Sequence, residues 1–132
     1  REHIKRVIQP SLLNNKVVIC DRFTDSTMAY QGQGQGVNQL FLTNLIKDVT
    51  ENILPDLTFI FDMDIKTSLI RANKRDNCNN RYEKFNNDFH EKIRTYFLNL
   101  VNKDERYILI NASDSIENIS QIILNKLNKI IT

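Results

Sequence analysis

Three short apolar runs, VVIC at 17–20, LTFIF at 57–61 and YILI at 107–110, are separated by stretches whose apolar residues recur at helical spacing. Runs of this length, bounded by polar residues, read as strands buried on both faces. Strands that alternate with amphipathic helices build a parallel sheet, because parallel neighbours need a crossover between them. The chain is therefore expected to be α/β. An opening helix carries Ile4, Val7 and Ile8 on one face and ends around Pro10 to Asn15. A second, from about Val37 to Asn52, carries Phe41, Leu45 and Val49, with Ile53 continuing the spacing. Asp64 caps a third with Ile65, Leu69 and Ile70 facing inward, and Phe89, Ile93, Tyr96, Phe97, Leu100 and Val101 mark a fourth from Asp88 to Asn102. Asp114 and Glu117 form a capping box for a last helix bearing Ile116, Ile119, Ile123, Leu127 and Ile130.

Composition narrows the classes. A chain of 132 residues without a linker or internal repeat is one domain's worth, and none of its apolar runs approaches the ~18 residues of a membrane span. Cys20 and Cys78 stand far apart with no CxxC, which suggests neither a zinc site nor a disulfide framework and makes a reducing cytoplasm the expected setting. A net charge of only +2 speaks against nucleic-acid binding by bulk electrostatics.

In parallel α/β sheets ligands bind beyond the carboxyl ends of the strands. Asp21, Arg22, Asp62 and the residues after Ile110 fall on that edge. A strand-end carboxylate can hold Mg²⁺ through water, and a guanidinium beside it can fork onto phosphate oxygens. The plainer reading of Asp21 and Arg22 is a structural ion pair, and both stay open. Ser26 and Tyr30 share a face of a short helix, where hydroxyls and the Gln31 carboxamide can bond a base edge; the alternative is a capped helix with a half-buried tyrosine. Gly32, Gly34 and Gly36 form neither GxxxxGK[ST] nor GxGxxG, and lie too far past the first apolar run for a phosphate cradle. They read as a loop tip. Five basic residues between 71 and 84 (Arg71, Lys74, Arg75, Arg81, Lys84) face two acids, Asp76 and Glu83, so the positive charge is local. That is either a solvated helix end or an anion site. His3 and His90 have no partner that suggests nucleophilic or base catalysis.

DRFTDSTMAYQGQGQG resembles the DR[FY]xxSxxAYQG signature of bacterial thymidylate kinases. PDLTFIFDMDIKTSLIRANKR is similar to that family's strand and helix leading into its LID, RYE and DFHEKIRTYF to the segment after it, and NAS to its adenine-side turn. REHIKRVIQPSLLNNKVVICDR matches the stretch ahead of the signature. The resemblance implies a P-loop NTPase-type three-layer sandwich with a parallel sheet, here a single partial nucleotide-kinase domain over 1–132 with its LID at about 71–87. It implies transfer of the γ-phosphoryl group of ATP to dTMP, giving dTDP, with Mg²⁺. Carried over by position, Arg22 binds the acceptor phosphate and Asp21 helps place the metal, through water. Ser26, Thr27 and Gln31 lie beside the thymine, and Tyr30 packs under the deoxyribose, disfavouring a 2′-hydroxyl. Arg75 and Arg81 are the LID cations that reach the phosphates. The family is usually a homodimer through helices such as the one from Leu40 to Val49, and neither nucleic acid nor membrane is an expected partner.

No GxxxxGK[ST] occurs in the 132 residues, although the family requires one, so the resemblance is to a C-terminal portion of the enzyme. The family's first strand would lie between those at 17–20 and 57–61, and these residues alone are expected to be inactive and poorly stable. Two other classes remain: another P-loop nucleoside or nucleotide kinase, and a non-catalytic nucleotide- or nucleic-acid-binding module.

Overall fold

The computed structural model describes residues 1–74, with side chains to Arg71, and 86–131. The chain divides into two compact units, Arg1–Pro55 and Asp56–Thr132.

In the first unit a π-helical run, Ile4–Ile8, continues directly into α1, Gln9–Leu13. Pro10, which has no N–H to donate, falls where the two windings join, and the Asn14 side chain closes the helix by donating to the Pro10 carbonyl at 2.7 Å. Ile4 and Ile8 are buried as expected, whereas Val7 is exposed. A second continuous run joins α2, Thr24–Thr27, to a π-helical segment, Met28–Gly34. Then comes α3, Gln39–Thr50, capped by Asn38, whose Oδ1 accepts from the Phe41 N–H at 2.9 Å. It ends on two left-handed residues, Glu51 (φ 53°) and Asn52 (φ 62°). The Glu51 carboxylate accepts from Gln9 Nε2 at 2.9 Å and pairs with Lys5 Nζ at 3.1 Å, tying the opening helix to the end of α3.

Three expectations need correction here. The face of α3 that is buried carries Leu42 and Thr50, while Phe41 and Leu45 are exposed, Phe41 at 59 %. Glycine at 32 opens the space that Leu42 fills: a Cβ there would lie 3.4 Å from Leu42 Cδ1. The glycines are not a bare loop tip, since Gly32 and Gly34 lie within the π-helical segment and Gly32 is buried. Gly36 alone supplies a turn, at φ 73°. Finally, 17–20 is not a buried strand: it joins no ladder among the described residues, and Val17 and Ile19 are 62 % and 89 % exposed. An apolar run acquires a strand's burial only from neighbours on its edges and faces, which sequence pattern does not supply.

In the second unit, β1 (Thr58–Asp62) and β2 (Tyr107–Asn111) pair in parallel, Thr58 opposite Tyr107 and Asp62 opposite Asn111. Two helices, α4 (Ile65–Lys74) and α5 (Asn87–Val101), lie between them in sequence, and α6 (Ile116–Leu127) follows. This is the expected parallel α/β arrangement, with each strand closing one residue later than the apolar pattern indicated. Its core gathers Ile60, Tyr107 and Ile110 from the strands with Phe89 and Ile93 from α5. Asp64 caps α4 as expected, accepting from the Lys66 and Thr67 N–H groups. For α6 the cap is Ser115, whose hydroxyl accepts from Asn118 N at 3.2 Å. Asp114 instead accepts from Ser115 N, and Ile116, in the first turn, is 78 % exposed. Ile70 is likewise exposed rather than inward.

At the amino ends of the strands Arg106 makes a clasp. Its guanidinium lies 4.1 Å over the Tyr107 ring, bonds the Tyr107 hydroxyl and pairs with Asp104 at 3.2 Å. That leaves the carboxyl ends as the edge for ligands.

Candidate functional site

Asp21 and Arg22 follow the extended run at 17–20, and their geometry decides between an ion pair and separate roles. Among the described residues neither joins an ion pair with the other or with a third group. The Arg22 guanidinium lies instead over the ring of Tyr30, 4.6 Å from its centroid. Its backbone is left-handed, φ 64°, a conformation that costs a residue with a Cβ on the order of 1 kcal/mol. The Cys20 thiol donates to the Arg22 carbonyl at 3.5 Å, supporting that turn.

Beyond Arg22, α2 and the π-helical segment form one rod that carries Ser26, Thr27, Tyr30 and Gln31, all half-buried. π-Helical turns are rare and concentrate at functional sites. The structure thus brings Arg22 onto Tyr30 and keeps the other three polar residues on the same rod. Asp21 is exposed, and no group of three or more His, Cys, Asp or Glu that could cage a metal occurs among the described residues. A lone exposed carboxylate suits Mg²⁺, which keeps several waters and is commonly held by one or two carboxylates plus substrate phosphates. The donor set therefore fits a water-mediated ion.

In the second unit, Asp62 closes β1 at the edge expected for ligands. Its carboxylate is gripped by Arg94 of α5, Nε to Oδ1 at 2.7 Å and Nη2 to Oδ2 at 2.9 Å, a two-point fork. The Asp62 side chain is 21 % exposed and that of Arg94 40 %. Hydrogen bonding to Arg94 holds the Asp62 carboxyl below the usual carboxylate range, against the opposing effect of partial burial. The same pairing raises Arg94. Thr67 lowers the Asp64 carboxyl in the same way at the start of α4. Arg71 Nη1 donates to the Ala112 carbonyl at 3.0 Å, so the first of the cationic cluster's arginines is engaged with the turn after β2. Arg94 was missed in the sequence. Its signal was there: an arginine directly after inward-facing Ile93, on a helix that must pass a strand ending in an aspartate. His90 Nε2 is buried with no hydrogen-bond partner among the described residues. Arg75, Arg81 and Cys78 lie outside the described residues, as do the side chain of Lys74 and all of Lys84.

With that geometry in place, comparison with known proteins is informative. The family model described as thymidylate kinase matches residues 1–123. A thymidylate kinase of Ehrlichia ruminantium (strain Gardel) is 41 % identical over 123 residues, which is 92 % of this chain and 58 % of the relative. One of Onion yellows phytoplasma is 40 % identical over 132 residues, 98 % of this chain and 63 % of the relative. The crystal structure of thymidylate kinase from Ehrlichia chaffeensis superposes with a TM-score of 0.69 at 30 % identity, covering 96 % of this chain and 57 % of its own. The chain thus spans about three fifths of the length of the relatives it matches.

Proposed function

Since the chain belongs to the thymidylate kinase family, we propose that the protein it comes from phosphorylates dTMP to dTDP, with ATP as donor and Mg²⁺ as its companion ion. The observation that carries this reading is the conformation of Arg22: a strained, exposed arginine that is stacked on a tyrosine and joins no ion pair. Such a residue is suited to take an anion. In this reading Arg22 forks onto the acceptor phosphate, and Asp21 holds Mg²⁺ through its waters. Mg²⁺ bound with ATP offsets negative charge on the phosphates, the main catalytic demand in phosphoryl transfer. Ser26, Thr27 and Gln31 face the thymine, and Tyr30 packs against the deoxyribose. One face of the Tyr30 ring is taken by Arg22, so the sugar falls to its other face or its edge. Arg75 and Arg81, within a LID at about 71–87, supply cations to the transferred group. No described helix is long and apolar enough to cross a membrane. A cytoplasmic homodimer completes the proposal, with the exposed Leu40, Phe41 and Leu45 of α3 as its contact face.

The test is ADP release by the full-length protein with ATP, Mg²⁺ and a panel of nucleoside monophosphates. Turnover should be fastest with dTMP and much slower with its ribonucleotide counterpart. Equal or faster turnover of another monophosphate would move the protein to a different nucleotide kinase, and no dTMP-dependent ADP release would remove the activity.

A further inference from the structure

The cation–π contact between Arg22 and Tyr30 leads beyond the substrate roles given to each residue. A guanidinium has five N–H donors in its plane and none on its faces. Pairing with Asp21 would occupy some of those donors, whereas contact with the Tyr30 ring leaves them free of protein acceptors. Arg22 Cζ lies over the Tyr30 ring, 4.6 Å from its centroid, and Arg22 donates no hydrogen bond among the described residues, so its N–H donors stay available to an anion. The left-handed backbone at Arg22, the Cys20 thiol on its carbonyl and the helical rod that carries Tyr30 eight residues on frame that contact.

We propose that Tyr30 is a positioning residue for Arg22, its ring holding the guanidinium so that the N–H donors directed away from the ring are preset for the phosphate of the acceptor nucleotide. This rests on the reading of Arg22 as the acceptor-phosphate ligand, and extends it by giving Tyr30 a task that does not involve the sugar. The contact is with an exposed arginine, so it is of the weaker sort, about 0.5–1 kcal/mol, or two- to fivefold in an equilibrium.

A double-mutant cycle in the full-length protein tests it, with kcat and the KM for dTMP as readouts. Tyr30→Phe keeps the ring and removes only the hydroxyl, so its effect on the dTMP KM should be the same whether Arg22 is present or replaced by alanine. Tyr30→Leu removes the π face and should raise the dTMP KM about two- to fivefold through Arg22, with any loss of sugar contact adding to that. The decisive arm is Tyr30→Leu in an Arg22→Ala background. There the extra KM penalty should shrink by about two- to fivefold relative to the wild-type background. If Tyr30→Leu lowers the melting temperature by more than a few degrees, Tyr30→Met carries the same arm. Tyr30→Leu penalties that multiply independently in the two backgrounds, or a Tyr30→Phe penalty that depends on Arg22 as strongly as that of Tyr30→Leu, overturn the positioning role and leave the acceptor-phosphate role of Arg22 standing. A silent Arg22→Ala overturns both.

Discussion

Each unit holds an aspartate at the end of an apolar run with an arginine to compare it with, Arg22 next to Asp21 and Arg94 of α5 beside Asp62, and the two pairs behave in opposite ways. Asp21 and Arg22 are adjacent in sequence and do not pair; Asp62 and Arg94 are 32 residues apart and fork together at 2.7 and 2.9 Å. Adjacency does not ensure pairing: Arg22 stands on a left-handed backbone and its guanidinium lies over Tyr30. Distance in sequence is no obstacle once the middle of a helix lies beside the end of a strand. The consequence is a division of labour. In the second unit the charges satisfy each other, and the pair helps hold α5 to the end of β1. In the first unit the Arg22 guanidinium lies over Tyr30 and joins no ion pair among the described residues.

The most severe test of that contrast is to remove each arginine in turn. Arg22→Ala should lower kcat/KM for dTMP about 100-fold, the value of charge-assisted hydrogen bonds worth about 3 kcal/mol, while shifting the melting temperature little. Arg94→Ala should do the reverse to stability. It leaves a largely covered carboxylate without its donor, at a cost of about 1–2 kcal/mol, moderated because water reaches both partners. Urea denaturation of both variants beside steady-state kinetics would separate them. If Arg22→Ala unfolds the chain as much as Arg94→Ala, the contrast is wrong.

A pH series sharpens the second half of it. The folded Asp62 carboxyl is lowered relative to an unfolded aspartate near about 3.9, so the folded chain binds fewer protons there as pH falls. Its stabilising contribution is complete above about pH 5 and is lost as pH drops through the unfolded value toward the lower folded one. Between pH 5 and 3 wild type should therefore lose stability more steeply than Arg94→Ala, in which the depression is relieved. Glu51, lowered by Gln9 and Lys5, adds acid sensitivity to both proteins alike; Asp64 is lowered chiefly by Thr67 and least by the charge of Arg94, so the difference between the curves reports Asp62 with a smaller share from Asp64. Parallel curves would show that the fork carries no net energy.

How far the sequence led follows the same divide. Short apolar runs and helical spacing located the strands at 58–62 and 107–111 and the helices around them, and Ile60, Phe89, Ile93, Tyr107 and Ile110 are buried there, although Phe61, Leu109 and Ile116 are exposed. At 17–20 the same kind of pattern misled, since burial of a strand depends on partners that its own residues do not encode. The sequence singled out Arg22 and Tyr30 through the signature, but not their mutual contact. It depends on a left-handed arginine and a π-helical winding, and single-sequence propensities register neither. The Asp62–Arg94 fork was half legible, as an acid at a strand end without its partner.

The smallest effects return to the glycines, where two positions four apart should respond with opposite signs. Gly36 ends the rod that bears Tyr30: its N–H bonds the Gly32 carbonyl at 3.0 Å, and the Val37 N–H bonds the Gln31 carbonyl at 2.9 Å, closing the helical end on a left-handed residue. Nothing lies within 4 Å of a Cβ at Gly36, so space is no obstacle there, but φ 73° is. Gly36→Ala should cost about 1 kcal/mol. At Gly32 the backbone is not left-handed, and the added methyl would meet Leu42 Cδ1 at 3.4 Å, the near edge of ordinary contact. Alanine also has less backbone freedom to lose on folding, a gain of about 0.4–1 kcal/mol. Gly32→Ala should therefore be neutral to slightly stabilising. Denaturation midpoints for the two variants decide it. If Gly32→Ala is the more damaging, the rod is packed against α3 more tightly than a 3.4 Å approach implies, and the winding that aims Tyr30 at Arg22 depends on that glycine rather than on the cap.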